Sequence, residues 1–372
     1  MEFTVSKADL VRELNLSQGV VEKKTTIPIL SNVLLEAVEE SLMLTATDLE
    51  LAIRCHAPAR VKSSGAGTIP AKKLLDYVRL LPEGDLTIRL TENHWANLTC
   101  GRSKTRIAGM SKESFPELPL MPEPIASIPI GVLAGMISKT IFAISAEESR
   151  FTLNGALLWI RENLLTMVAT DGHRLSMVEM ENPAGAATEP YRALLPRKAM
   201  GELLKIAAEA PEKEAVLSFA GDENHLFFRL GNRLLTSRKL TGNFPDFERV
   251  LPKSHSYTVE LDRDELRASI ERVAQFSDER SRAIKVRFSD NEAMLHSSMS
   301  ESGESEETLP VEYGGPTVEI GFNALYLMDF LRALPESKVA FHFKDAQSAG
   351  ELTPAGEDVS YKYRYVVMPM RI

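Results

Sequence analysis

Apolar residues recur at the spacing of a helix in three well-separated parts of the chain. Leu10, Val11 and Leu14 fall on one face of the first stretch. Apolar positions at 128–141 and at 261–273 repeat the pattern. Because such self-similarity is typical of a chain built from repeated modules, the pattern predicts three copies of one unit.

Polar residues at the starts of two of these stretches have the spacing of helix caps. Ser6 precedes Asp9 by three positions, and Asp262 precedes Glu265 by three, as in a capping box. A second apolar-periodic stretch follows in the middle of each copy. These second predicted helices are 71–81, 198–208 and 323–334.

Shared motifs in the first two copies support the same register. The sequence NVLL at 32–35 precedes ATD at 46–48, and GALL at 155–158 precedes ATD at 169–171 with the same separation. Short alternating segments between the helices predict strands, and clusters of Gly, Asn and Asp predict the turns that join them. The predicted fold is therefore α+β, with three similar modules that each contain a sheet and two helices. The predicted domains are an N-terminal domain 1–122, a central domain 123–252 and a C-terminal domain 253–372.

The composition indicates an ordinary water-soluble protein. Of 372 residues, 44% are hydrophobic and 26% are charged, and no apolar run approaches the roughly 20 residues of a membrane span. The first residues lack the pattern of a signal peptide, and the two cysteines, Cys55 and Cys100, form no metal or redox motif. We therefore expect a cytoplasmic protein that does not bind membranes. A net charge of −9 argues against attraction of DNA by overall charge.

A search for catalytic motifs leaves one candidate. Phosphate loops, zinc-protease histidine pairs, nucleophile elbows and dinucleotide fingerprints are absent from the sequence. In TDGHRL at 170–175, Asp171 and His173 could orient a general base. However, Asp48 occupies the equivalent place in the first copy, which favours a structural turn. The seven histidines are scattered without metal-ligand spacing, so we expect no metal and no cofactor.

Motifs along the whole chain resemble those of one family. The chain is similar to the beta subunit of bacterial DNA polymerase III, the replication sliding clamp. The motifs that carry the resemblance are TIPILSN at 26–32, ATDLE at 46–50, LNG at 153–155, ATDGHRL at 169–175, PRK at 196–198, FPD at 244–246, RVLP at 249–252 and YVVMPMR at 365–371. The resemblance implies a head-to-tail homodimer in which six domains surround a hole, with helices inside and sheets outside. It also implies a tether for the polymerase that performs no catalysis.

This implied architecture reconciles the negative net charge with DNA binding, because basic helices can face the hole while the outside is acidic. The resemblance implies sequence-independent contacts with the phosphates of double-stranded DNA. The implied DNA-binding residues are Lys24, Lys72, Lys73, Arg150, Arg197 and Lys198.

The resemblance further implies an apolar slot that binds short peptides of partner proteins. The implied partners are the DNA polymerase III alpha subunit, the clamp loader and other proteins with a clamp-binding motif. Methionines suit such a slot because they fill irregular gaps. The implied slot residues are Leu153, Thr170, Gly172, His173, Arg174, Leu175, Pro245, Val250, Val366, Met368, Pro369 and Met370.

A subunit interface is the third site that the resemblance implies. Thr105 stands where the family often has an aromatic residue, which leaves the strength of the dimer open. The acidic run at 301–307 has two interpretations, a disordered solvated loop or an ordered segment that faces the basic strand of a partner. The implied interface residues are Arg102, Lys104, Arg106, Ile107, Phe276, Glu304 and Glu307.

Two alternatives from other functional classes stay open on the sequence alone. One is a monomeric hydrolase built around Asp171 and His173. The other is a transcription regulator that reads base sequence. Molecular size distinguishes the first alternative, and binding to unrelated duplexes distinguishes the second.

Overall fold

A computed structural model describes residues 1–21, 26–147, 149–183, 189–299, 303–356 and 359–371. Within these ranges the helices are α1 (Lys7–Val20), α2 (Ala71–Leu80), α3 (Ile130–Thr140), α4 (Arg197–Ala208), α5 (Arg263–Val273) and α6 (Ala324–Ala333). None of the helices in the described ranges is long and apolar enough to cross a membrane.

Antiparallel strands account for most of the remaining structure. In the first half of the chain they are β1 (Glu2–Ser6), β2 (Asn32–Val38), β3 (Ser41–Thr47), β4 (Leu51–Ser63), β5 (Gly65–Pro70), β6 (Asp85–Leu90), β7 (Trp95–Cys100), β8 (Ser103–Ala108), β9 (Ala126–Pro129), β10 (Gly155–Arg161), β11 (Leu164–Thr170) and β12 (Arg174–Glu181). In the second half they are β13 (Tyr191–Pro196), β14 (Val216–Gly221), β15 (His225–Leu230), β16 (Arg233–Arg238), β17 (Tyr257–Asp262), β18 (Ala283–Ser289), β19 (Glu292–Met299), β20 (Gly303–Pro310), β21 (Val318–Asn323), β22 (Lys338–Phe343), β23 (Gly350–Ala355) and β24 (Lys362–Val367).

The chain divides into two compact units. The first comprises Met1–Gly131, Pro183–Thr188 and Lys198–Lys239. It contains one sheet of twelve strands, ordered β8-β7-β6-β1-β4-β16-β15-β14-β9, with β3 joined to β4, β2 to β3 and β5 to β2. Strand β8 pairs only with β7 among the described strands, so one of its edges carries backbone groups without a strand partner.

The second unit comprises Val132–Asn182, Glu189–Arg197 and Leu240–Ile372. It contains an eight-stranded sheet, β13-β10-β11-β12-β24-β23-β22-β17, and a four-stranded sheet, β20-β19-β18-β21. The core includes stacked aromatic rings, among them Phe288 with Phe343 at 4.3 Å between centroids. Phe330 of α6 lies against Tyr365 of β24 at 5.0 Å.

The predicted helix starts are confirmed. The Ser6 hydroxyl accepts a hydrogen bond from the backbone N–H of Asp9 at 3.1 Å, and its O–H donates to the Asp9 carboxylate at 2.8 Å. The Asp262 carboxylate accepts from the backbone N–H groups of Asp264 and Glu265, each at 2.9 Å. These side chains satisfy N–H groups that have no partner inside a helix, which is why the helices begin there.

The acidic run is ordered where the structure describes it. Residues 303–307 lie in β20, at the edge of the four-stranded sheet, so the interpretation as a disordered loop is wrong for them. Exposure alternates along the strand, with Glu304, Glu306 and Thr308 exposed and Ser305, Glu307 and Leu309 half-buried or buried, and this period of two suits a strand with one solvated face. Glu301 and Ser302 lie outside the described residues.

Candidate functional site

The segment from Thr170 to Arg174 is a tight turn between β11 and β12. The Asp171 carboxylate Oδ1 accepts from the backbone N–H groups of His173 at 2.9 Å and Arg174 at 3.0 Å. The Thr170 hydroxyl accepts from the N–H of Gly172 at 3.1 Å and donates to the carbonyl of Arg174 at 2.6 Å. Gly172 has φ of +89°, a backbone conformation that residues other than glycine rarely adopt.

The same turn occurs between β3 and β4. The Asp48 carboxylate accepts from the N–H groups of Glu50 at 3.0 Å and Leu51 at 2.7 Å. The Thr47 hydroxyl accepts from Leu49 N–H and donates to the Leu51 carbonyl, both at 3.0 Å. The expectation that Asp171 serves turn structure is therefore confirmed, because the first copy makes the equivalent bonds without a histidine.

Arg174 extends from this turn towards the helices. Its guanidinium donates to Asp171 at 3.0 Å, to Asp329 at 2.7 Å and to the carbonyl of Phe142 at 2.6 Å. The guanidinium carbon lies 4.3 Å from the centroid of the Tyr326 ring. With its side chain only 9% exposed, Arg174 holds the turn in place rather than presenting its charge to solvent.

Strand register places an apolar surface on the opposite face of the sheet. Leu175 pairs with Val366 of β24. Two positions after Leu175 on the same strand, Met177 pairs with Val168 of β11. Val168 pairs in turn with Leu157 of β10, and Leu157 pairs with Leu194 of β13. Successive residues of a strand point to opposite faces, so Arg174 and Leu175 point apart. The buried members of this apolar cluster are Leu157, Val168, Leu175, Met177, Leu194, Phe247 and Val366.

Two segments outside the sheet border the apolar cluster. The first, at 240–251, contributes the buried Phe247 and the partly buried Leu240, Phe244 and Leu251. Val250 and Pro245 of the same segment are exposed. The sequence prediction named Val250 and Pro245 but missed Phe247, although the apolar spacing within FPDF at 244–247 was a signal that could have found it.

The C-terminal segment is the second border. The N–H of Met368 donates to the carbonyl of His173 at 2.9 Å, and the N–H of Met370 donates to that of Gly321 at 2.8 Å. Met368 is 42% exposed, while Pro369 and Met370 are half-buried. Leu153, in a 3-10 turn, is half-buried too. Met368 thus stands beside His173 with its side chain accessible.

The buried carboxylate of Glu351 connects the segment at 252–255, which precedes β17, to the same sheet. Glu351 is 2% exposed; its carboxylate lies in hydrogen-bond contact with His255 Nε2 at 2.6 Å and forms an ion pair with Arg364. Arg364 also donates to the carbonyl of Pro252 at 2.8 Å. These bonds fix the chain directly after Val250 and Leu251.

The predicted DNA-binding residues differ in how they are engaged. Lys72 pairs with Asp76, and Lys198 pairs with Asp48. Arg150 pairs with Glu147 at 2.7 Å and donates to the carbonyl of Asp171 at 3.0 Å. The two exposed residues for which no ion pair is found among the described residues are Lys73 and Arg197. Lys24 lies outside the described residues.

The predicted interface residues lie on or beside two sheet edges. Lys104 and Arg106 are exposed on β8, while Ile107 is buried; Arg102 is exposed in the turn before β8. On β20, Glu304 is exposed, but Glu307 already pairs with Arg272 at 2.7 Å. Phe276 lies near the start of β20, since a Cβ placed on Gly303 would meet its ring at 3.6 Å. The prediction missed Glu306, which is exposed on the same face as Glu304.

Within the described residues, no group of three or more His, Cys, Asp and Glu side chains has the geometry of a metal site. Both oxygens of the Asp171 carboxylate are engaged, Oδ1 by backbone N–H groups and Oδ2 by Arg174. The described geometry of this turn is thus that of a structural element.

Family models cover nearly the whole chain. They are the DNA polymerase III beta subunit N-terminal domain at residues 1–119, the central domain at 127–246 and the C-terminal domain at 248–371. The beta sliding clamp of Pseudomonas putida is 34% identical, with 100% of both chains covered. That of Chlamydia muridarum is 33% identical over 100% of this chain and 99% of the relative.

Solved structures give the same result. A sliding clamp (DNA polymerase III subunit beta) from Pseudomonas aeruginosa, bound to griselimycin, superposes with a TM-score of 0.94 at 34% identity, covering 100% of both chains. A sliding clamp from Bartonella birtlesii, also bound to griselimycin, gives 0.93 at 32% identity, again with 100% of both chains. The class is therefore the DNA clamp fold, three related domains of mixed helices and antiparallel sheets. The chain belongs to the DNA polymerase III beta subunit family, the DNA sliding clamps of replication.

Proposed function

We propose that two copies of this chain close head to tail into a ring around duplex DNA and tether the DNA polymerase III alpha subunit. The chain itself performs no catalysis, and the clamp loader and other proteins with a clamp-binding motif use the same docking surface. The domains are 1–122, 123–252 and 253–372, and the ring works in the cytoplasm. The observation that carries the proposal is the pair of oppositely charged sheet edges, β8 and β20.

The subunit interface joins β8 of one copy to β20 of the other. Each strand has an edge without a strand partner among the described residues, and such an edge is a template for pairing with another chain. Lys104 and Arg106 are exposed on β8, and Glu304 and Glu306 are exposed on β20. Opposite charges on two solvated edges favour this pairing over the pairing of either edge with itself.

DNA contacts are made by basic side chains with phosphate oxygens. Lys73 on α2 and Arg197 at the start of α4 are exposed and available for this role. Three further basic residues must give up a carboxylate partner before they can bind a phosphate, which weakens their net contribution to DNA affinity. They are Lys72, Lys198 and Arg150. Binding through so few contacts is weak and salt-dependent, so topology rather than affinity keeps the ring on DNA.

Partner peptides dock on the apolar cluster between the C-terminal segment and the segment at 240–251. Met368 and Val250 are accessible at the border, and Leu175 and Val366 form the floor. The polarisable, flexible methionine side chains accommodate different peptide side chains. His173 and Gly172 supply the rim through the turn that Arg174 holds in place.

Negative-stain electron microscopy of the purified chain at micromolar concentration tests the proposed assembly. We expect closed rings with two-fold symmetry and an empty centre. A uniform population of compact monomers, without rings, would contradict it.

A further inference from the structure

We propose that the docking surface continues into a second, positively charged subsite at Trp159 and Arg192, which binds acidic residues flanking the apolar motif of a partner. This inference rests on the proposed docking of partner peptides at the apolar cluster. Its ligand is a glutamate or aspartate side chain in the same peptide.

The sheet register makes the two sites continuous. Trp159 follows Leu157 on β10 by two positions, so both side chains lie on the same face, roughly 7 Å apart along the strand. Trp159 pairs with Arg192 of β13 and with Thr166 of β11, and its ring packs against the apolar cluster. A peptide that crosses the cluster therefore reaches Trp159 within about two or three residues of extended chain.

Two arginines lie over the Trp159 ring. The guanidinium carbon of Arg192 is 3.6 Å from the ring centroid, and that of Arg161 is 3.8 Å away. The Arg161 charge is already balanced, because Arg161 donates to Glu179 at 2.8 Å and to the Thr166 hydroxyl at 2.7 Å. Arg192 is exposed, and no ion pair joins it to any described residue. One positive charge at this end of the surface is thus uncompensated.

The acidic side chains on the same face of the sheet do not neutralise the Arg192 charge. Glu179 lies opposite Lys362 of β24 in the strand register, and its carboxylate is engaged by Arg161 at 2.8 Å. Glu181 lies one row further from the apolar cluster, opposite Leu164. Neither acid lies on a strand next to β13 in the sheet order, so Arg192 faces solvent with its N–H donors available.

Stacking makes Arg192 a good receptor for a carboxylate. A guanidinium held flat against an indole loses less conformational freedom on binding than a free side chain does. Its planar fork of donors matches both carboxylate oxygens. A lysine at the same place would carry the charge without the stacked geometry.

Peptide affinity measured by fluorescence polarisation with the full chain tests the subsite. The probes carry an apolar Leu-Leu-Phe core with three glutamates, or three glutamines, at the amino or the carboxyl end. We expect one glutamate probe to bind about 2- to 5-fold more tightly than its glutamine counterpart, the gain expected of one exposed charged contact. Arg192→Ala should abolish this advantage, Arg192→Lys should retain part of it, and high salt should reduce it.

Arg229→Ala is the matched control, since Arg229 is also exposed on a strand, in β15, and its removal should change nothing. Equal affinities for the glutamate and glutamine probes would overturn the subsite, as would an advantage that survives Arg192→Ala. If no probe binds, or if Met368→Ala leaves the binding of every probe unchanged, the proposed docking surface fails and the subsite fails with it. If the original protein binds the apolar core but shows no glutamate advantage, only the subsite is overturned and the docking surface stands.

Discussion

Met368 donates its backbone N–H to the carbonyl oxygen of His173 at 2.9 Å. The bond connects the C-terminal segment to the turn that Asp171 and Thr170 close. Since Arg174 anchors the same turn to Asp329, the carbonyl group that Met368 bonds is itself held in place. Its side chain is nevertheless 42% exposed, which leaves it accessible to the peptide that we propose binds here.

Met368→Ala should weaken the binding of a short apolar clamp-binding peptide while leaving the fold intact. Burying the exposed part of a methionine contributes roughly 1–2 kcal/mol, so the Kd should rise by about 5- to 30-fold. Removal of residues 368–372 should have a larger effect, because it also removes the bond from Met370 to Gly321. Val38→Ala, which truncates another exposed apolar residue, is the control in the same polarisation assay. Peptide affinity that is unchanged in both Met368 variants would place the docking surface elsewhere.

Reversing Lys104 and Arg106 to Glu should shift the dimer towards monomer. Each exposed ion pair contributes about 0.2–1 kcal/mol. A closed dimer has two such interfaces and so loses four pairs, which should raise the dimer Kd by roughly 4- to 900-fold. The effect should decrease with salt because exposed charges are screened. Analytical ultracentrifugation across a concentration series measures it.

Reversing Glu304 and Glu306 to Lys in the same protein should restore part of the dimer affinity. Glu307 is the control on this strand, since it pairs within its own chain with Arg272 and its reversal should rescue less. Sedimentation of the charge-reversed protein identical to the original would mean that β8 is not an interface edge.

Acid should destabilise the first unit through Glu13, which is fully buried between Arg233 and Arg12. Burial raises the pKa of Glu13, but hydrogen bonds from Arg233 and Arg12, together with their charges, outweigh it and lower the pKa below its ordinary value. Because the pKa of Glu13 is lower in the folded than in the unfolded protein, its ionised form stabilises the fold. This stabilisation is fully present above the unfolded-state pKa, about 4.3, and is lost as the pH falls through the folded-state pKa.

Glu13→Gln should therefore lower the free energy of unfolding near pH 7 by about 3–5 kcal/mol, since Arg233 is left buried without its partner. The loss should shrink as the pH falls below about 4. Urea denaturation near pH 7 and again below a pH of about 4 measures this difference. Glu83→Gln is the control, because the Glu83 side chain that pairs with Lys7 is exposed to solvent. A difference between variant and original that stays constant with pH would exclude the ion pair as the cause.

Local sequence signals predicted the helices well. Caps such as Ser6 and Asp262 act within three residues, so their effect is visible without the fold. The repeated ATD motif likewise encodes its own turn, through hydrogen bonds between neighbours. The α+β class followed from these elements and is confirmed by the antiparallel sheets and the family match.

The candidate site was predicted less completely because it depends on long-range strand pairing. Val366 meets Leu175 only through the pairing of β24 with β12, and no local pattern encodes that partnership. The engagement of Glu307 by Arg272 depends on tertiary packing in the same way. The opposite directions of Arg174 and Leu175, in contrast, follow from the local alternation of a strand, a signal that the sequence prediction did not use. Trp159 and Arg192 were overlooked because their contact also depends on register.

Retention on circular DNA tests the central claim most directly. The protein is loaded onto a nicked circle by a clamp loader with ATP, washed in high salt, and measured on the DNA before and after one double-strand cut. A closed ring should survive the wash and leave after the cut, since it can slide off an end although its phosphate contacts are weak. Retention that falls with salt equally on circles and on linear DNA would indicate ordinary electrostatic binding and contradict the account.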